Sequence, residues 1–186
     1  MKARYVTAAA LVAALVAGTS GAQAAYPVLD GKRVKVLTLT ASGGVQDNDK
    51  EMASLSPSDR VSCTAPRCSR LTFTYLPAKG VRNRDLMFSV TWTNPASDID
   101  LYVAEVARNG DSSEVGHCAG AGQPSEKVFV KASALKPGKT YALIVDWFRS
   151  INETAHAKVE IGVPSSIKTT VPAAVESQTQ NVNCTL

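Results

Sequence analysis

Asp98 and Asp100 stand two residues apart in DIDLYV, with Tyr102 two further on. On a strand, side chains at that spacing share a face. Two adjacent carboxylates hold Ca²⁺ when loop carbonyls or a third acid join them. Gln46-Asp47-Asn48-Asp49 offers a second acidic stretch of the same kind. Neither matches an EF-hand loop, which needs a central glycine and a distal glutamate. The competing use is local, since short acids hydrogen-bond turn backbone and fix corners between strands. The local role is the expectation, with calcium as the one cofactor these residues admit.

His117 and His156 are the only histidines. A hydrolase needs one of them beside a nucleophile and an orienting acid. His156 falls on the charged face of an alternating segment, and His117 adjoins Cys118. There is no G-x-S-x-G elbow, no H-E-x-x-H and no glycine-rich phosphate loop. The chain therefore reads as non-enzymatic.

Trp147 and Phe148 end an alternating run, so one faces outward if the other faces in. An exposed aromatic at a rim stacks on sugars or packs on a partner. Trp147, Phe148 and Tyr102 are thus the candidate binding residues, with capping of the core as the plain alternative. Asp146, between Val145 and Trp147, is expected to form a solvated ion pair with Lys158 or Arg149.

The chain opens with Lys2 and Arg4, an apolar run Tyr5–Gly18, and the small residues Ala22-Gln23-Ala24. That is the pattern of a secretory signal peptide, cleaved before Ala25. Its apolar run falls short of the roughly 20 residues that span a bilayer. The expectation is export, with no membrane insertion after removal of the leader. The formal charge of +4 includes both leader cations. The exported chain is thus near neutral without a basic block, which argues against nucleic acid as a partner.

Cys63, Cys68, Cys118 and Cys184 make an even count in an exported protein, which suggests two disulfides. Cys63–Cys68 is favoured because CTAPRC is short and holds a proline turn, leaving Cys118–Cys184. The spacing in CTAPRC departs from the short Cys-x-x-Cys typical of zinc.

The elements that would carry these residues are strands. Leu86, Phe88, Val90 and Trp92 fall on one face, with Met87, Ser89, Thr91 and Thr93 on the other. After Asn94-Pro95, Ile99, Leu101 and Val103 oppose Asp98, Asp100 and Tyr102. Leu71, Phe73 and Tyr75 alternate, as do Tyr141, Leu143, Val145 and Trp147 after the Pro137-Gly138 turn. Val159, Ile161 and Val163 oppose His156, Lys158 and Glu160. Lys127–Lys131 and Ser166–Val171 read as short strands. Arg33–Thr40 changes phase between Val36 and Leu37, which points to a bulge or an edge position. Ala41–Pro66, with one helical turn near Asp49–Leu55, and Ala107–Glu126 read as long connections. About eight short strands without a long amphipathic helix predict an all-β, antiparallel β-sandwich of jelly-roll type. The predicted organisation is a leader at 1–24, an N-terminal extension with the first strand and the Cys63/Cys68 loop at 25–70, a sandwich core at 71–172, and a polar tail at 173–186 tethered through Cys184.

WTNPASDIDLYV resembles the W-T-[D/N]-P…D-[L/I]-D-L-Y-[V/L] stretch of bacterial pre-peptidase C-terminal domains and related jelly-roll accessory domains of secreted proteases. ALKPGKTYALIVDWF resembles the later L-x-P-G-x-Y-x-[L/I]-x-V strand of the same domains. The two matches come in the same order and span roughly Asp85–Val163. The resemblance implies an exported bacterial jelly roll, usually joined to a hydrolase, that serves secretion or holds its enzyme to a polymer. Some members bind calcium. The function expected is a secreted, non-catalytic interaction module for an extracellular polymer or a secreted protein. A calcium-dependent structural domain and an accessory to a secreted hydrolase are the alternatives.

Overall fold

The computed structural model describes residues 25–47, 61, 65–119 and 124–163. Among the described residues there are ten strands: β1 (Val28–Leu29), β2 (Val36–Gly43), β3 (Gln46–Asp47), β4 (Cys68–Tyr75), β5 (Leu86–Thr91), β6 (Asp98–Val106), β7 (Ser112–Cys118), β8 (Ser125–Val130), β9 (Lys139–Ser150) and β10 (Glu153–Ile161). One sheet runs β1-β4-β9-β6-β7, and the other β2-β10-β5-β8. β3 pairs with the end of β9, where β4 has stopped. The nested antiparallel pairs β2–β10, β4–β9, β5–β8 and β6–β7 are those of a long hairpin rolled into two sheets, the jelly roll. The expected all-β sandwich is the observed fold.

Alternation explains which faces meet. Leu86, Phe88, Val90, Ile99, Leu101, Val103, Tyr141, Leu143, Val145, Trp147 and Val159 all enter one core between the sheets, with Trp92 at its margin. Phe73 lies 6.1 Å from Phe88 on the opposite sheet. Tyr75 and Tyr141 meet edge to face at 6.3 Å. Each directs its hydroxyl to backbone: Tyr75 donates to Arg84 C=O, and Tyr141 accepts from Lys136 N–H. Burial raises both phenols above their ordinary pKa. β2 is an edge strand, as its phase change suggested. Leu37, Leu39 and Ala41 pack inward while Val36 is exposed.

Three expectations change. Ala107–Glu126 is not one long connection, because β7 pairs along β6 and β8 begins at Ser125. β7 was hidden because SSEVGHC carries a single branched aliphatic and lies at an edge, where backbone pairing does most of the holding. The outer face of the larger sheet is not a solvent face. Val61, Cys68, Tyr102, Ala104, Ala142 and Ile144 form a second buried cluster there. Asp146, expected in a solvated ion pair, lies on that face at 0% exposure. It sits on β9, a central strand with both faces covered. The extension at 25–70 contributes β2, which pairs along the whole of β10. The Asp49–Leu55 turn, the Ser166–Val171 strand, Cys63, Cys184, the leader and the tail at 173–186 lie outside the described residues.

Candidate functional site

The W-T-N-P segment forms the corner between β5 and β6, and there the polar chemistry concentrates. Trp92 turns its ring into the core while its Nε1–H donates to Ser97 C=O at 3.2 Å. Ser97 N–H closes the turn on Asn94 C=O, and Asn94 Oδ1 accepts from Ala96 N–H. The next loop along is tied in through β10. Glu153, buried at the strand start, accepts from Asn94 N–H at 2.7 Å, Thr154 N–H at 2.8 Å and Thr93 Oγ1 at 3.4 Å. Burial alone would raise the Glu153 pKa, but these hydrogen bonds together outweigh it, and the carboxyl is held below its ordinary value.

Two further loops join the same end. Ile151 N–H donates to Ser97 Oγ, and Ser150 Oγ donates to Gly44 C=O. Gly43 closes the arrangement from below. A Cβ there would stand 2.5 Å from Trp147 Cδ2, so the indole lies flat on bare backbone. Three loops, at 43–46, 93–98 and 150–153, are therefore knitted into one rigid end. On it stand Val45 at 73% exposure and Ile151 at 47%. The tips that carry them adjoin, because Gln46 pairs with Ser150.

The second polar constellation lies on the outer face of the larger sheet. Tyr102 Oη donates to Asp100 Oδ2 at 3.4 Å. The Tyr102 ring stacks on His117 at 5.7 Å, and His117 Nδ1 lies 2.6 Å from Glu114 Oε1. Asp146 stands in register beside Asp100, and Arg149 beside Asp98. Arg70 sends its guanidinium from β4 to Ser112 Oγ on β7. Its own row across β9 and β6 carries Ile144 and Tyr102, and the next row on that face, toward Ser112, carries the small Ala142 and Ala104. Burial lowers the Arg70 pKa.

The predicted site residues therefore divide. Asp98, Asp100 and Tyr102 do share a neighbourhood, but Asp100 and Tyr102 are buried. Among the described residues no group of three or more His, Cys, Asp or Glu is placed to hold a metal ion. Trp147 is buried at 1% exposure and serves the core, so it offers no platform to a ligand, and neither does Tyr102. Phe148 is half-buried. His156 is exposed on the smaller sheet, with Nδ1 3.3 Å from Thr40 Oγ1. Cys68 and Cys118 are buried, and neither is a free thiol. Sequence reasoning missed Glu153, Ser97, Val45 and Ile151. Nothing in one sequence marks a lone aliphatic at a hairpin tip as exposed, though Val45 beside Gly43-Gly44 is a weak signal. Among the described residues no helix is long and apolar enough to cross a membrane. Neither protein-family models nor curated proteins give a match to this chain.

Proposed function

We propose that this chain is an exported, non-catalytic interaction module that docks a secreted protein through the loop end bearing Val45 and Ile151. The carrying observation is the pairing of two exposed aliphatics with a hydrogen-bonded network that holds their loops still. Loops ordered in advance lose little entropy on binding. Aliphatic tips favour a protein surface over a polar polymer, which remains the other partner of this class. The leader pattern and the likeness of WTNPASDIDLYV to pre-peptidase C-terminal domains support export and an accessory role. A non-catalytic role is supported by the two histidines, one set on an exposed face and one stacked on Tyr102.

The test is capture of secreted proteins by the wild-type chain and by Val45→Ser/Ile151→Ser. A partner retained only by the wild type is expected. An identical bound set for the two, or binding only to insoluble polymer, overturns the reading. A hydrolase screen is expected to be blank, and turnover lost on His117→Ala would refute the non-catalytic role. The proposed disulfides are Cys63–Cys68 and Cys118–Cys184. In support, Cys68 and Cys118 join clusters on opposite faces of the larger sheet and so are not each other's partners.

A further inference from the structure

Among the described residues the paths of the two sheets end on four strands, β1, β7, β8 and β2, and three of these carry devices that discourage pairing. β1 is only two residues long. β7 is bulged against β6 between Val103 and Ala104 and carries Glu114 and His117. β8 carries Glu126 and Lys127. Short strands, bulges and charges are the usual protections of an open edge. β2 has none of them. It runs eight residues, VLTLTASG, without a charge, a proline or a break in its pairing to β10.

The free side of β2 can be read residue by residue. Ile161 N–H donates to Lys35 C=O, and the ladder continues from that pair in strict alternation. Lys35, Leu37, Leu39 and Ala41 thus turn their main-chain groups to β10. Val36, Thr38, Thr40 and Ser42 turn theirs away. Among the described residues these groups meet no backbone partner on that side. Leu37, Leu39 and Ala41 are only partly buried at the same margin.

We propose that β2 is a self-association edge, pairing antiparallel with β2 of a second copy of this chain about a two-fold axis at Leu39. That register sets Leu39 opposite Leu39, Leu37 opposite Ala41, Thr38 opposite Thr40 and Val36 opposite Ser42. Apolar residues meet apolar ones on the core side, and hydroxyls meet hydroxyls in the central pairs outside. Thr38–Thr40 and Val36–Ser42 become hydrogen-bonded pairs, giving about eight main-chain bonds across the axis. The strand brings no charge to repel its copy. The two smaller sheets join into one continuous sheet, a closed isologous contact. A second copy is the occupant argued for because the edge is complementary to itself. This pairing uses the main-chain edge of Val36–Ser42, whereas docking at the loop end uses the side chains of Val45, on the turn that follows β2, and of Ile151, on the turn between β9 and β10.

The experiment is sedimentation velocity on the purified chain over roughly a thousandfold range of concentration. A weight-average mass rising from monomer to dimer is expected. Thr38→Glu/Thr40→Glu sets like charges opposite each other in the proposed register and is expected to raise the dimer dissociation constant at least about tenfold. Thr38→Glu/Thr40→Lys sets opposite charges there and is expected to keep dimerisation within about threefold of wild type. Melting temperatures verify that both variants fold. A wild type that stays monomeric throughout, or two variants that associate equally, overturns the proposal.

Discussion

Substituting Gly43→Ala tests the packing under the loop end most directly. The added methyl would stand 2.5 Å and 2.6 Å from Trp147 Cδ2 and Cε3. Ordinary carbon contacts lie near 3.5–4.0 Å, so a shift of about 1 Å is needed. The indole has little room for it. Trp147 is buried in the main core and its Nε1–H reaches Ser69 Oγ at 3.4 Å. Overpacking of this kind costs about 1–3 kcal/mol, and losing the indole hydrogen bond adds about 1. Against that, alanine stiffens the unfolded chain by about 0.4–1 kcal/mol. The net loss is about 2 kcal/mol, or roughly a 4–8 °C fall in melting temperature for a chain of this size. Gly44→Ala is the control, because nothing lies within 4 Å of a Cβ there. Thermal and urea unfolding followed by tryptophan fluorescence reads both. Trp147→Phe removes the fused-ring atoms in the way, so the Gly43→Ala penalty should shrink in that background. If Gly43→Ala melts within about 1 °C of Gly44→Ala, the close approach of indole to backbone is wrong.

Other perturbations address the charged and sulfur-bearing groups. Glu153→Gln should cost about 1.5–3 kcal/mol, the worth of hydrogen bonds to a charged acceptor, read as a lower urea midpoint. The folded pKa of Glu153 lies below 4.5. Its stabilisation is therefore complete above that value and drains away as pH falls through the folded pKa, because the unfolded chain binds the proton first. The variant should lack that acid-side loss, and equal slopes below pH 4.5 for the two proteins would count against the network. Millimolar Ca²⁺ and EDTA are each expected to leave the melting temperature within about 1 °C, whereas a rise of several degrees with Ca²⁺ would establish a calcium site. Peptide mapping without reduction should recover Cys63 with Cys68 and Cys118 with Cys184, and a peptide joining Cys68 to Cys184 would refute that pairing.

The alternation of Leu86–Trp92, Ile99–Val103, Tyr141–Trp147 and Val159–Ile161 was enough to foretell a two-sheet sandwich and nearly every inward side chain. Strand geometry allows no other use of such a pattern once water is to be excluded from one face. The odd phase of Val36 and Leu37 pointed to a bulge or an edge, and the strand lies at an edge with unbroken pairing. Three things escaped the one-dimensional pattern. β7 has no apolar rhythm, because its place is set by pairing with β6. Asp100, Tyr102 and Asp146 look like solvent residues by alternation, yet their strands are central in the sheet and covered on both faces. Glu153 lies 59 residues from the Asn94 N–H it receives, and no local spacing announces that contact. Local periodicity thus determined the type of layer and which side of each strand is oily. Only the tertiary arrangement decided which outer face is also buried, which loops converge on one end, and which edge is left open. Those depend on strand order, and strand order is set by the sum of many long-range contacts rather than by any single segment's own preference.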